Sequence, residues 1–194
     1  MDELKPCPCG KRGSGESIGG DEEMSKAVML SVRPKWCEKI CRGEKTIEVR
    51  KTRPKLETPF KCYIYCTLPK YPHEDFIATD YPMPQFYGGG KVVGEFTCDR
   101  IYELETKSHG GSYYVKNGDQ PTTNFIARQS CLDLKDMHDY LHAQKGYGWH
   151  ISDLRIYDAP RELSGFTGLR NTRFGAAPYD IKRAPQSWCY VEEG

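Results

Sequence analysis

The sequence predicts a mixed α+β fold that is mainly β: a small barrel with one helix at its mouth and a second helix late in the chain. Three observations predict it. The apolar runs are short and bounded by Gly and Pro, as in AVMLSV, FKCYIYCT and KVVGEFTC. Thirteen tyrosines help lift the aromatic share to 12%, a composition that suits strands and turns better than long helices. Helical spacing of apolar residues is read in two stretches, near Trp36 and near Met137.

A chain of 194 residues fits one domain with room for a tail. With 38% hydrophobic and 28% charged residues, it affords a core under a strongly polar surface. No apolar run approaches the roughly 20 residues that a bilayer-spanning helix needs. The start, MDELKPCPCG, carries no signal-peptide run. The expected location is the cytoplasm, with no membrane partner. Nine cysteines is an odd count with no pairing framework, so they read as thiols, mostly buried as small hydrophobes.

Residues 1–26 read as a flexible Gly/Ser-rich tail that cannot bury enough surface to offset its ordering entropy. The domain is expected over 27–194. Ala27–Val32 is a strand. Pro34 opens a helix over 34–42 at its first position, and Gly43 closes it. Trp36, Cys37, Ile40 and Cys41 form one apolar stripe on that helix, which predicts buried Cys37 and Cys41 thiols. Lys45–Arg50 alternates, placing Thr46, Glu48 and Arg50 on one face. After a basic loop come the strand Phe60–Thr67, a four-proline excursion over Leu68–Gly90 that suits a lid, and the strand Lys91–Tyr102. Leu132–Gln144 reads as the late helix. Trp149–Tyr157 and Ser187–Val191 complete the strands of a closed or half-open, mainly antiparallel barrel.

Formal net charge is only +1, but its distribution is uneven. From Arg33 to Lys55, nine Lys/Arg face three Glu, a net +6. Inside this segment Lys45, Glu48 and Arg50 put a cation, a carboxylate and a guanidinium within six residues. Glu48 and Arg50 share a strand face, about 7 Å apart. Arg50 can grip a phosphate or carboxylate with two parallel hydrogen bonds. Glu48 can accept from an exocyclic amine or act as a base. The competing reading is an exposed strand face with an internal ion pair. If Arg50 lies exposed in a cleft, its loss affects binding and leaves stability nearly unchanged.

Trp149, His150, Ser152 and Asp153 supply a flat ring and hydrogen-bonding groups suited to stacking on and reading an unpaired base, and Gln186, Ser187 and Trp188 form a third candidate cluster. Alternation puts Trp149 and His150 on opposite faces, so both cannot enter one pocket. A core tryptophan with a satisfied histidine is the plainer reading. His138 and His142, with Asp139, have cation-binding spacing, though a solvated helix face explains them as well. Cys7-Pro8-Cys9-Gly10 resembles half of a zinc knuckle without the other half. The reading therefore names no metal and no cofactor.

The run Gly43, Lys45, Thr46, Glu48, Arg50, following S-x-x-P-x-x-x-x-x-I-x-x-G, resembles the ASCH domain, a PUA-like family. The later pieces GYGWHISDLRIYD and APQSWCYVEE resemble those of phage- and prophage-encoded ASCH proteins. The resemblance spans roughly 27–194. It implies a PUA-like barrel and an RNA or modified-nucleotide ligand held by Lys45, Thr46, Glu48, Arg50, Trp149, His150, Ser187 and Trp188. It implies two alternatives. One is a hydrolase, either a metal-independent ribonuclease or an N4-acylcytidine amidohydrolase, with Lys45 and Glu48 catalytic. The other is a phage module that binds a host protein. The amidohydrolase pattern places a Thr three residues after its Lys; here Glu48 stands there, and Glu95 is a candidate for its distant Glu.

Overall fold

Two strands at the centre of the molecule, β1 (Lys26–Val32) and β3 (Phe60–Cys66), are buried on both faces. They run parallel, with Val28 opposite Cys62 and Val32 opposite Cys66. Alternation then sorts their side chains into two cores. Val28, Leu30, Val32, Cys62, Ile64 and Cys66 enter an inner core, and Ala27, Met29, Tyr63 and Tyr65 an outer one. The computed structural model describes residues 25–71, 73, 77–78, 86–106, 112–116 and 121–194.

The other elements follow in order: α1 (Pro34–Cys41), β2 (Ile47–Arg50), β4 (Ile77–Ala78), β5 (Phe86–Tyr87), β6 (Lys91–Cys98), β7 (Ile101–Thr106) and β8 (Tyr113–Val115). Then come α2 (Thr123–Gln129), α3 (Leu134–Leu141), β9 (Gly146–His150), β10 (Ser152–Arg161), β11 (Thr167–Thr172), β12 (Gly175–Asp180) and β13 (Trp188–Glu192). A seven-stranded sheet has the order β10-β6-β3-β1-β13-β11-β12, and a four-stranded sheet the order β2-β9-β7-β8. One face of the smaller sheet covers the inner core through Trp149. Its other face presents Ile47, Val49 and Leu104 to Ile126 of α2 and to Met137 and Leu141 of α3. The layers are therefore helix pair, small sheet, large sheet, and an outer flap of Tyr157, Leu163, Phe166 and Ile181.

The sheets do not close, which corrects the expected barrel. β10 and β12 remain edges of the large sheet and β2 and β8 edges of the small one. The strand expected over Lys91–Tyr102 divides after Cys98, and the one over Trp149–Tyr157 divides at Ile151. Each break passes the chain from one sheet to the other. Left-handed backbone at Asp153 (φ 48°) re-aims the second.

Helix α1 spans Pro34–Cys41 with Pro34 at its start, and Gly43 follows with φ +70°. Cys37 is buried as expected, but Cys41 is only half-buried. The late helix is shorter than its sequence pattern and is preceded by α2, whose Thr122 hydroxyl accepts from the Phe125 N–H at 3.3 Å. No described helix is long and apolar enough to cross a membrane. Residues 1–24, Cys7 and Cys9 among them, lie outside the described residues, as does most of the 68–90 excursion beyond the β4–β5 pairing.

Candidate functional site

The antiparallel register of β2 and β9 sets Glu48 directly opposite Trp149, and Arg50 opposite Tyr147. Residues paired this way share a face, and this face looks toward the large sheet. Two charged side chains of a short strand thus point between the sheets beside an apolar core. Lys45, just before β2, swings into the same place. All three are buried: Lys45 is 3% exposed, Glu48 6% and Arg50 8%.

The three form one network. Glu48 Oε1 lies 2.9 Å from Arg50 Nη2, and Glu48 Oε2 lies 3.1 Å from Lys45 Nζ. Lys45 Nζ also donates to the Ile47 carbonyl at 2.9 Å and the Ser130 carbonyl at 2.7 Å. Two of its protons therefore have carbonyl acceptors, and the Glu48 carboxylate stands beside it as an ion-pair partner. Arg50 Nη2 donates to the Ser31 carbonyl of β1 at 2.6 Å, tying the small sheet to the large one, and Nη1 reaches Ser187 Oγ at 3.5 Å. Arg50 is thus buried and cross-braced, and its removal must cost stability.

Burial alone pushes the Glu48 carboxyl up, but the Lys45 and Arg50 charges and their hydrogen bonds reverse this and hold it below the usual carboxylate value. Glu48 is an anion locked between two cations. Burial pushes the nearby Cys37 thiol well up, helped by its contact with Cys66. The network is nevertheless incomplete. Among the described residues, Glu48 Oε2, Arg50 Nε and Trp149 Nε1 are buried without a hydrogen-bond partner. Glu48 Oε2 has the Lys45 charge beside it, but no well-aligned hydrogen bond. Buried polar atoms are seldom left so, and here two donors and one acceptor cluster on adjacent strands.

Aromatic rings surround the network. Trp36 of α1 lies under Lys45 Nζ, 5.1 Å from nitrogen to ring centroid. Tyr140 of α3 is 40% exposed and sits near enough to Arg50, Glu48 and Arg33 to feel their charges; burial raises its hydroxyl pKa. Trp188 of β13 lies 6.1 Å from Trp149, centroid to centroid, and donates its indole N–H to Thr52 Oγ1 at 3.0 Å. Exposed Arg33, Lys35 and Lys51 stand on the segments next to the network in sequence.

Of the residues singled out by sequence, the structure brings together Lys45, Glu48, Arg50, Trp149, Ser187 and Trp188. It leaves two apart. Thr46 turns to Gln129, their side chains hydrogen-bonded. His150 Nδ1 lies 2.6 Å from Asp99 Oδ1, on the opposite face from Trp149. Glu95 stands away from the network: it lies opposite Tyr63 in the ladder, on the outer-core face, and accepts from the Tyr157 hydroxyl at 2.6 Å. His138 faces Asp139 at 3.8 Å, and no metal-binding cluster occurs among the described residues. Sequence reasoning missed Ser31, Ser130 and Tyr140. The first two act through carbonyl groups, which any residue type supplies. Tyr140 gave one signal, since it borders the Met137/Leu141 stripe of α3.

A cavity of about 740 Å³ lies elsewhere, among Tyr113, Thr123, Asn124, Leu134, Lys135 and His138. It holds no buried charge and no orphaned polar atom, so the ion network is the stronger candidate.

No family model matches the chain, and no curated protein sequence matches it. Among solved structures it is similar to the ASCH protein of Zymomonas mobilis, with TM-score 0.53 and 16% identity over 86% of this chain and 88% of that chain. The fold is ASCH-like. Two point variants of the same Zymomonas protein align at TM-score 0.47, with 16% and 17% identity over 86% and 88% of this chain and 91% of theirs. At such identity the likeness speaks to fold alone. It agrees with the α+β, mostly β architecture described above.

Proposed function

We propose that the protein binds RNA or a nucleotide at the Lys45/Glu48/Arg50 network, and that it does so without turnover. The observation that carries this reading is the trio of orphaned atoms. Two buried donors, Arg50 Nε and Trp149 Nε1, and one buried acceptor, Glu48 Oε2, call for a ligand edge with acceptors beside a donor. A base edge carrying an exocyclic amine next to a ring nitrogen or carbonyl has that pattern. The exposed cations Arg33, Lys35 and Lys51 suit phosphate, and Tyr140 and Trp188 offer rings for an unpaired base.

The same geometry speaks against the hydrolase alternatives. A general base must be able to take a proton. Glu48 is held ionised by two cations, which makes it a good acceptor and a weak base. Lys45 Nζ already donates to two backbone carbonyls and is paired with the Glu48 charge, which leaves it little freedom to act on a substrate.

The test measures binding of labelled unstructured RNA, and of free nucleotides by tryptophan fluorescence, and then looks for product. Saturable binding is expected, weakened about tenfold in Tyr140→Ala if one base stacks there, with RNA and acylated nucleosides recovered intact. Product formation abolished by both Glu48→Gln and Lys45→Ala would move the assignment to a hydrolase. Binding of neither ligand would end the reading.

A further inference from the structure

The β11–β12 hairpin carries an aromatic residue that no core accounts for. Phe174 sits at its turn with 85% of its surface exposed, the highest value among the large exposed apolar residues described. The Arg173 guanidinium lies over the ring, 4.7 Å from its centroid. Arg170 is exposed on β11, and exposed Lys182 and Arg183 follow β12. From Leu163 to Arg183 there are four cations against the single acid Asp180, a net +3.

The turn is built rather than loose. Thr172 Oγ1 donates to the Gly175 carbonyl at 2.8 Å and accepts from the Phe174 N–H at 3.2 Å. Gly175 takes φ +109°, a conformation L side chains avoid. At the hairpin's base the Tyr179 ring covers Gly168 so closely that a Cβ there would come within 2.3 Å of it. The exposed ring is therefore held out on a fixed arm.

Topology places this arm beside the ion network. β11 pairs antiparallel with β13, Gly168 opposite Val191 and Leu169 opposite Tyr190. Continuing that register puts Asn171 level with Trp188, and the turn just past it. Trp188 in turn lies opposite Leu30, near the end of β1 that leads into Arg33 and α1. The hairpin tip thus rises at the same end of the large sheet as Ser187, Trp188 and Arg33.

We propose that the β11–β12 hairpin is a second contact for a single-stranded RNA whose first contact is the ion network. Phe174 stacks on one unpaired base with Arg173 behind it, and Arg170 and Arg173 meet the phosphates between. This rests on the reading of the ion network given above.

The test uses fluorescence anisotropy on the full chain with an oligouridylate tetramer and a dodecamer. Phe174→Ala should weaken dodecamer binding about tenfold, one stacked base's worth, and leave the tetramer nearly unchanged. Arg170→Ala with Arg173→Ala should lower the salt slope for the dodecamer by roughly one. Tyr140→Ala should weaken both lengths. Hairpin variants that bind both lengths like wild type, while Tyr140→Ala does not, would overturn the hairpin contact and leave the ion-network reading standing. A dodecamer weakened by Phe174→Ala but untouched by Tyr140→Ala would keep the hairpin and overturn the ion network. Equal loss on both lengths, or no RNA binding together with Phe174-dependent binding to anionic phospholipid vesicles, would overturn the hairpin as a second RNA contact.

Discussion

The four-stranded sheet carries two ion networks on one face, and they differ in nearly everything but their charges. Lys45, Glu48 and Arg50 have side chains 3–9% exposed. Across the sheet, Glu103 and Glu105 meet Lys116 and Lys145 at 3.1–3.9 Å, with side chains 28–46% exposed. Tyr147, opposite both Arg50 and Glu103, stands between them. In the exposed network water screens each pair and replaces whichever partner is lost. In the buried one each charge depends on the others, and apolar side chains of the same volume would serve stability as well or better. A buried network that gains little for stability, and that leaves three polar atoms unmatched, fits the recognition role proposed above.

The largest expected effect is that of Glu48→Gln, which leaves two buried cations without their anion and should cost about 3–5 kcal/mol in urea unfolding. A loss no larger than that of Glu103→Gln would erase the distinction between the networks. Acid should act through the same residue. The folded Glu48 carboxyl lies below the ordinary value of 4.5, so its contribution is fully present above that value and drains away as pH falls through the lower folded one. Wild type should lose stability relative to Glu48→Gln as pH drops below 4.5; parallel curves would show that the two cations do not hold the carboxylate.

Cys37 reports on the buried network from inside. Burial raises its thiol well above the ordinary value, and Glu48 and Arg50 are close enough to act on it. Native wild type at pH 8 should leave Cys37 unalkylated over hours by peptide mass mapping, and Glu48→Gln should speed its labelling. Rapid labelling of wild type would place Cys37 in an open mouth. The smallest effect belongs to Glu103→Gln, expected to move the melting temperature by less than about 2 °C and to fade with added salt.

Much of this was legible in the sequence, for reasons particular residues show. The AVMLSV and FKCYIYC strands announce themselves because both of their faces are buried. Pro34 and Gly43 mark α1 because each conformation they favour is needed there. Lys45, Glu48 and Arg50 stood out because their spacing on a strand is unusual. Their burial did not, since it depends on which sheet covers them, and β1 and β13 come from opposite ends of the chain. Closure of the sheets was misjudged because the breaks at Cys98 and Ile151 are changes of partner within apolar runs. The β11–β12 hairpin escaped notice because GLRNTRFGAAPYD has little apolar alternation; Tyr179 across Gly168 replaces it. His150 was parted from Trp149 by alternation alone, as the β2–β9 register bears out.

The central claim is that the buried ions serve recognition rather than stability. A triple variant, Lys45→Met with Glu48→Leu and Arg50→Met, tests it most directly, with unfolding and RNA binding measured on the same preparation. The expected result is a folded protein within about 2 kcal/mol of wild type or more stable than it, with saturable RNA binding gone. A triple variant that folds as well and still binds RNA with wild-type affinity would contradict the claim.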